Sequence, residues 1–196
     1  MQGPPAYGSP FLKFSSLNLI AIIRSYTLSM TAAPTDRELV IRPALPADGP
    51  AYVALVRALA EFEKLPPPDD AAAARLLQHA FGPRPRYELV VAELAGAVVG
   101  YAAFFETYST FRALPSIYLE DLFVDARVRG RGVGTALVRA VGAEAVARGC
   151  GRFEWTVLDW NVGAQRFYRA LGARVLNEWR LCRVDGEALA AFARAG

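Results

Sequence analysis

A short glycine-rich segment constrains this chain more than any other part of its sequence. The segment, Arg129-Gly130-Arg131-Gly132-Val133-Gly134, lies between an apolar run that ends at Val124 and a long helical pattern over Gly132–Arg148. Glycines at this spacing let consecutive backbone N–H groups point into one concavity, and the helix that follows adds the positive end of its dipole. The segment therefore predicts a site for a pyrophosphate. The alternative is a flexible turn that binds nothing.

The spacing of the glycines separates the possible phosphate ligands. A P-loop needs Gly-x-x-x-x-Gly-Lys, and no lysine follows Lys64. The dinucleotide fingerprint Gly-x-Gly-x-x-Gly also fails, because Thr135 or Leu137 stands at its third glycine. The pattern Arg129-x-x-Gly132-x-Gly134 instead matches the pyrophosphate loop of acetyl-CoA-dependent N-acetyltransferases.

The rest of the chain shows alternating strand and helix patterns. The predicted strands are Leu39–Arg42, Glu88–Leu94, Ala97–Phe105, Ser116–Val124, Arg152–Leu158 and strand material in Ala173–Val184. The predicted helices begin at Asp48, at Asp69 or Asp70, at Gly132, at Val162 and at Asp185. This order predicts the α/β class of the α+β type, with a mixed, largely antiparallel central sheet flanked by helices.

The amino-terminal 35 residues differ in composition from the rest of the chain. They are rich in Gly, Pro and Ser, and Met30 offers a second start just before the first strand pattern. We predict that residues 1–35 are a disordered, non-catalytic extension and that residues 36–196 form one catalytic domain. The apolar stretch Leu17–Ile23 has the length of a signal-peptide core, but Arg24 follows it and no cleavage site is convincing.

Charge and composition exclude several function classes. The net charge is +3, and basic residues are interspersed with acids, so we expect no nucleic-acid partner. No apolar window is long enough to span a membrane. The two cysteines, Cys150 and Cys182, and the single His79 offer neither a disulfide framework nor a histidine-rich metal site. We therefore expect a cytoplasmic protein without a metal, whose two thiols are reduced and part-buried.

Three further motifs occur in order around the glycine segment. Tyr118-Leu119-Glu120-Asp121-Leu122-Phe123-Val124 precedes it, and Trp155-Thr156-Val157-Leu158-Asp159-Trp160-Asn161 and Phe167-Tyr168-x-x-Leu171-Gly172-Ala173 follow it. With these motifs the chain resembles the GNAT superfamily of N-acetyltransferases from about Leu39 to Ala190. Within the superfamily it is most similar to the diamine acetyltransferases of the spermidine/spermine and thialysine type. The resemblance implies the GNAT fold, acetyl-CoA as cosubstrate, an amine acceptor and a homodimer.

The resemblance also assigns the residues that hold acetyl-CoA. Backbone amides of Arg129–Gly134 and the start of the following helix would bind the pyrophosphate, and a backbone N–H near Leu122–Val124 would polarise the thioester carbonyl. The cofactor-binding residues so implied are Leu122, Phe123, Val124, Arg129, Gly130, Arg131, Gly132, Val133, Gly134, Thr135, Asn161 and Tyr168.

Two adjacent carboxylates in an apolar strand are candidates for the amine site. A primary amine is protonated at neutral pH and needs a group that attracts it and accepts its proton through water. Glu120 is the proposed catalytic group and is also proposed to bind the substrate amine. Asp121 is proposed to bind the substrate, and it faces the opposite side of a regular strand unless a bulge brings both toward one cleft. The structural alternative is an ion pair with an arginine.

Tyr168 is the implied general acid, because a phenol suits the protonation of a departing CoA thiolate. Its helical spacing is equally typical of a core residue. Asn161 would contact the CoA arm or cap the helix that follows it.

Substrate recognition is implied at two further positions. Glu63 matches an acid that attracts a cationic acceptor, although a solvated surface charge explains it as well. Trp179 matches an aromatic position of the amine site or is a core tryptophan. Tyr108-Ser109-Thr110-Phe111 stands where polyamine acetyltransferases carry an acid and a tryptophan, so shorter diamines or lysine-like amino acids fit better.

The leading prediction is acetyl transfer from acetyl-CoA to a primary amine of a small cationic molecule, directly and in a ternary complex. Three alternatives remain: acetylation of a protein amino terminus or an antibiotic, a non-catalytic CoA sensor, and an Arg/Gly segment that binds RNA. The last is weakest, because Arg-Gly occurs in one short turn and not as a repeated tract.

Overall fold

The structure, a computed structural model, describes residues 39–194 and divides into two compact units, which meet in sequence at Thr156 and Val157. The proposed extension, residues 1–35, lies outside the described residues. The strands are β1 (Leu39–Pro43), β2 (Glu88–Leu94), β3 (Ala97–Ser109), β4 (Leu114–Val124) and β5 (Arg152–Trp155). The helices are α1 (Gly49–Glu63), α2 (Asp70–Phe81), α3 (Val133–Ala147), α4 (Val162–Ala170) and α5 (Gly186–Phe192), and 3₁₀ turns cover Pro46–Asp48 and Ala126–Val128.

All five strands belong to one sheet in the first unit, in the order β1-β2-β3-β4-β5. The first four strands pair antiparallel, and β5 pairs parallel to β4. Helix α3 connects these two parallel strands, as a parallel pair requires a crossover between its members. The predicted mixed, largely antiparallel sheet is therefore confirmed.

The β2–β3 hairpin follows directly from its turn residues. Ala95 and Gly96 have φ values of 53° and 75°, which is the left-handed pair that a tight two-residue hairpin needs. The structure confirms the predicted hairpin and extends β3 beyond its predicted end at Phe105, to Ser109. The second half of β3 consequently pairs with β4 alone.

The two faces of the sheet carry separate apolar clusters. On one face α3 packs Val133, Leu137 and Val141 against strand residues such as Phe104 and Leu119. On the other face α1 and α2 cover a second cluster, whose buried members are Tyr52, Leu55, Leu89, Val91, Tyr101, Ala103 and Phe123. Removing these side chains from water stabilises the layers by roughly 2 kcal/mol for each large apolar residue.

An ion-pair network ties the end of α3 to β2. Arg148 donates to both carboxylate oxygens of Glu88 at 2.6 Å and to Glu144 at 2.7 Å, and its guanidinium lies over the ring of Phe104. Glu144 is buried, and Arg148 is its ionic partner.

Replacing Arg148 by alanine should lower the free energy of unfolding by about 3–5 kcal/mol, because two carboxylates then lose their partner in a part-buried site. Urea denaturation measures the change. Arg152→Ala is the matched control, since Arg152 pairs with Glu154 at the surface and such a pair contributes at most about 1 kcal/mol. Equal losses in the two variants would contradict the argument.

Of two aspartates that the sequence places at helix starts, one caps its helix and the other does not. Asp69 caps α2 as predicted, since its side chain accepts a hydrogen bond from the N–H of Ala72. Asp48 precedes α1 but makes no side-chain cap there. Its carboxylate is instead held by Arg42 at 2.7 Å and by the N–H of Leu45, and the arginine lowers the pKa of this carboxyl. The stronger ionic partner takes precedence over the cap.

The predicted carboxy-terminal strand pattern is wrong. The described residues 173–184 contain no strand, and β5 ends at Trp155 instead of Leu158. Alternating apolar residues favour a strand only when a neighbouring strand pairs with their backbone, and the sequence pattern does not supply that neighbour. Several apolar side chains of the segment are instead exposed, among them Leu176, Trp179 and Leu181.

Within residues 39–194, no helix is both long and apolar enough to cross a bilayer, and no group of three His, Cys, Asp or Glu side chains has an arrangement that could hold a metal ion. Cys150 and Cys182 are both free. Cys150 is half-buried as predicted, whereas Cys182 is exposed.

Candidate active site

A β-bulge in β4 sets the geometry of the acidic pair. Asp121 pairs with Ala103 and Leu119 pairs with Phe104, so Glu120 between them has no partner residue on β3. The extra residue reverses the alternation of the strand. Before the bulge Ile117 and Leu119 belong to the cluster under α3, and after it Phe123 belongs to the cluster under α1. The bulge thereby places Asp121 on the α1 face of the sheet.

Asp121 is the most perturbed carboxyl of the described chain. Burial, reinforced by the charges of Glu120 and Glu63, raises the pKa of Asp121 to about 6. The hydroxyl of Tyr101 donates to its Oδ2 at 3.3 Å and opposes this rise. Glu120 itself is exposed. The two neighbours thus differ in environment, which is typical of a pair with separate tasks.

Glu63 completes an acidic group on the same face. It is the last residue of α1, and Lys64 ends the helix in a left-handed conformation with φ of 60°. Partial burial raises the pKa of Glu63. Among residues 39–194, no lysine or arginine forms an ion pair with Glu63, Glu120 or Asp121. Residues 39–194 therefore supply no arginine partner for the acidic strand, and a cationic ligand would relieve the repulsion.

The two parallel strands separate beside the bulge. β4 pairs with β5 only over Ser116–Leu119, and residues 120–124 continue without that neighbour. Backbone N–H groups along a strand point alternately to its two sides. Some N–H groups of residues 120–124 therefore point to the side of β4 on which β5 no longer pairs. Leu122 and Val124, two of the implied cofactor residues, lie there, with Phe123 between them on the α1 face.

The glycine segment has the conformation that an anion site requires. Gly130 and Gly132 both have φ of 79°, and an added Cβ at either glycine would meet no atom within 4 Å. The first helical hydrogen bond of α3 runs from the N–H of Ala136 to the carbonyl of Gly132 at 3.0 Å. In the described part of the chain, the N–H groups of residues 130–135 meet no protein acceptor. These six amides fit a pyrophosphate at a helix start.

The side chain of Arg129 makes contacts that the sequence did not indicate. Its amide already donates to Ala126, so the free amides begin at Gly130. Its guanidinium lies 5.3 Å from the ring centre of Phe62 and 5.4 Å from that of Phe123, and its Nε donates to the carbonyl of Val124. The side chain therefore joins the end of α1 to the end of β4 by cation–π contacts.

A groove of about 590 Å³ lies along α1 beside this arginine. Small residues of α1, including Ala51, Ala54 and Ala58, form one side, and Phe123 and the 3₁₀ turn form the other. Asp125 orders that turn by accepting from the backbone and side chain of Arg127, whose hydrogen bonds lower the pKa of Asp125 to about 2.

The remaining predicted residues belong to the second unit. Asn161 caps α4 by accepting from the N–H of Ala164 at 3.1 Å, which is the structural role foreseen for it. Tyr168 is buried and its ring lies against that of Phe167. Trp179 is 74% exposed, which excludes a core role for this side chain.

Sequence reasoning missed the tyrosines behind the acidic pair. Tyr101 and Tyr52 are buried, and their rings meet edge-to-face at 5.0 Å. In the sequence Tyr101 stands inside a run of small and apolar residues, where a tyrosine is typical of a core strand. The pattern contains no signal that its hydroxyl reaches a carboxylate on the next strand.

Known proteins resemble most of this chain in sequence. Residues 54–173 match the model of the family described as the acetyltransferase (GNAT) family. The chain is 37% identical over 162 residues to a thialysine N-epsilon-acetyltransferase of Bos taurus, which covers 77% of this chain and 95% of the relative. It is 48% identical over 95 residues to an L-ornithine N5-acetyltransferase of Arabidopsis thaliana, which covers 48% of this chain and 42% of the relative.

A solved structure extends the comparison to the fold. An aminoglycoside N-acetyltransferase crystallised in complex with CoA superposes with a TM-score of 0.62. The match covers 78% of this chain and 99% of that one at 22% sequence identity, so it shows a shared fold and no more.

Proposed function

The chain belongs to the acetyltransferase (GNAT) family and is an acetyl-transferring enzyme, and we propose that it acetylates a primary amine of a small cationic molecule. Acetyl-CoA is the cosubstrate. The proposed acceptors are lysine- or thialysine-like amino acids and short diamines. The group of Glu63, Glu120 and Asp121 carries the proposal, because these carboxylates have no cationic partner among residues 39–194 and belong to the unit that holds the glycine loop.

The proposed transfer is direct. The loop amides of residues 130–135 bind the pyrophosphate, and a backbone N–H of the stretch Leu122–Val124, which lacks β5 as a neighbour, stabilises the negative charge on the thioester oxygen. Asp121 and Glu63 attract the ammonium form of the acceptor. Glu120 accepts its proton through water, so the free amine can attack the thioester carbon. The carbon–nitrogen bond forms, the carbon–sulfur bond breaks, and the electron pair leaves on the sulfur. The nitrogen, now positively charged, releases its second proton to water, and a proton from solvent restores Tyr168 after it has protonated the sulfur.

Tyr168 is proposed to protonate the departing sulfur. Tyr168→Phe should then lower kcat on the order of 100-fold, because general acid catalysis raises the rate by 10²–10⁴-fold. The affinity for CoA, measured by titration calorimetry, should not change. The loss of kcat should shrink with an acetyl thioester of a more acidic thiol, because its thiolate leaves without help. A loss that is the same for both thioesters would assign Tyr168 another role.

Gly132→Ala should weaken CoA binding about tenfold or more, which is 1.4 kcal/mol or more. The new methyl group would point into the space that the pyrophosphate needs, and alanine at φ of 79° is strained. Titration calorimetry with CoA measures the change. Gly96→Ala carries the same backbone strain in the remote β2–β3 turn, at φ of 75°, and should leave CoA binding unchanged.

The choice of acceptor is proposed from three observations. Three carboxylates suit a cation, the relatives named above act on thialysine and on ornithine, and Tyr108–Phe111 lacks an acid. CoA release should be measured against lysine, thialysine, ornithine, short diamines, spermidine and an aminoglycoside. Lysine-like amino acids and short diamines should give the highest kcat/KM. Activity confined to the aminoglycoside, or no release with any amine, would contradict the proposal.

We further propose a cytoplasmic homodimer. Exposed apolar side chains of the second unit, among them Trp179, Leu181 and Phe192, support a contact with a second copy. Sedimentation equilibrium should give twice the chain mass of 21.3 kDa, and a monomer at micromolar concentration would contradict it.

A further inference from the structure

A layer of three tyrosines lies directly behind the acidic pair. Tyr101 on β3 is fully buried, and Tyr52 on α1 is 1% exposed. Tyr87, just before β2, is half-buried. All three side chains belong to the apolar cluster on the α1 face of the sheet, and Tyr101 contacts the carboxylate of Asp121. The proposed reaction gives none of them a task.

The contacts of this layer define which group accepts the hydrogen bond of each tyrosine hydroxyl. Tyr87 donates to the carbonyl of Leu76 on α2 at 2.9 Å. Its proton is therefore used, and Tyr52 must donate to the oxygen of Tyr87 across 3.0 Å. Tyr101 stands apart from this chain and donates to Oδ2 of Asp121. Each tyrosine thus has one acceptor, and Tyr101 alone of the three reaches the carboxylate.

The ring of Tyr101 cannot turn away from its acceptor. It is fully buried, and the edge-to-face contact with Tyr52 at 5.0 Å holds one side of it. Tyr52 is in turn tied through Tyr87 to α2. Packing of α1 and α2 therefore orients the hydroxyl that meets Asp121.

We propose that Tyr101 is a positioning residue for the amine site: its hydroxyl holds Asp121 in one orientation and favours its charged form, so that the carboxylate can receive an ammonium group. The inference rests on the proposed function. A hydrogen bond donated to a carboxylate stabilises the charged state over the neutral one. Without it, burial and the charges of Glu120 and Glu63 would act on Asp121 with no opposing group of the described chain.

The other titratable groups around Asp121 cannot replace this bond. Glu120 on β4 and Glu63 on α1 are acids, and both raise the pKa of Asp121. Tyr52 and Tyr87 stay neutral, because burial raises the pKa of each phenol. Tyr101 is therefore the described side chain that favours the ionised carboxyl.

The test is Tyr101→Phe, read in two ways. In the protein without substrate, carbon-13 NMR should show the Asp121 carboxyl titrating at about 6 in the wild type and about one pH unit higher in the variant, since a bond to a charged group contributes about 1.5 kcal/mol. With the best amine found, the acidic side of the pH profile of kcat/KM should shift to higher pH by the same amount. At pH 9, where the carboxyl is charged in both proteins, kcat/KM of Tyr101→Phe should stay below that of the wild type, because Asp121 has lost the bond that orients it.

Tyr52→Phe is the matched control, because it removes a hydroxyl from the same layer and leaves the bond to Asp121 in place. The acidic side of the pH profile of kcat/KM should lie at the same pH in Tyr52→Phe as in the wild type. A carboxyl of Asp121 that titrates at the same pH in Tyr101→Phe as in the wild type overturns the inference, whatever the activity. A shifted carboxyl in a protein that acetylates no amine overturns the proposed function instead.

Discussion

Replacing Asp121 by asparagine should make the folded chain more stable and a poorer enzyme. At pH 8 the wild-type carboxyl must be charged in a half-buried site beside Glu120 and Glu63. Its pKa of about 6 against an ordinary value of 3.8 corresponds to about 3 kcal/mol, at about 1.4 kcal/mol for each pH unit. The neutral amide avoids this cost, so the free energy of unfolding should rise by up to about 3 kcal/mol.

The gain in stability must depend on pH in one direction. Because the folded state holds the Asp121 proton more tightly than the unfolded state, the wild type loses stability as the pH rises from about 4 to about 6. The substituted amide does not titrate, so the difference between the two proteins should be full above pH 6 and should vanish near pH 4. Urea denaturation at pH 4, 6 and 8 measures it.

The same substitution should raise KM for the amine. A charged hydrogen bond to an ammonium group contributes about 1.5–3 kcal/mol, so kcat/KM should fall on the order of 10- to 100-fold. CoA affinity should not change. A variant that is destabilised at every pH, with unchanged kcat/KM, would show that Asp121 has a structural role and no part in binding the amine.

Replacing Glu120 by glutamine should lower kcat on the order of 10²- to 10⁴-fold, which is the usual contribution of a general base. The residue is exposed at the bulge, so the free energy of unfolding should change by less than about 0.5 kcal/mol. Stopped-flow measurement of CoA release at saturating amine gives kcat directly.

Two controls accompany the Glu120 variant. Raising the pH should partly restore its rate, because a larger fraction of the amine is then uncharged and needs no base. Glu106→Gln removes an exposed acid of β3 and should leave kcat within about twofold of the wild type. If Glu120→Gln retains full turnover at neutral pH, the proton passes to another group.

Local patterns predicted most of the fold, because each depends on neighbours in the sequence. Ala95-Gly96 predicts the hairpin since a left-handed pair of residues needs little from the rest of the chain. Asp69 caps α2 by an equally local bond. The predicted strand in Ala173–Val184 is wrong for the opposite reason, because a strand needs a partner that no local pattern provides.

The site was predictable in its residue types but not in its arrangement. The sequence places Glu120 and Asp121 next to each other and leaves open whether they share a cleft. The bulge decides on which face Asp121 lies. The same holds for Arg129. The sequence places it in the loop motif, but its contacts with Phe62 and Phe123 form only in the folded chain and could not be predicted.

The sequence alone determined where the proposed pyrophosphate site lies, because glycines at 130 and 132 permit a backbone that other residues resist. It also determined which acids are available. Only the tertiary structure decided the pKa of Asp121. Burial, the charges of Glu120 and Glu63, and the hydroxyl of Tyr101 set the pKa of Asp121. Glu63 and Tyr101 act on it through space from segments that are far from Asp121 in the chain.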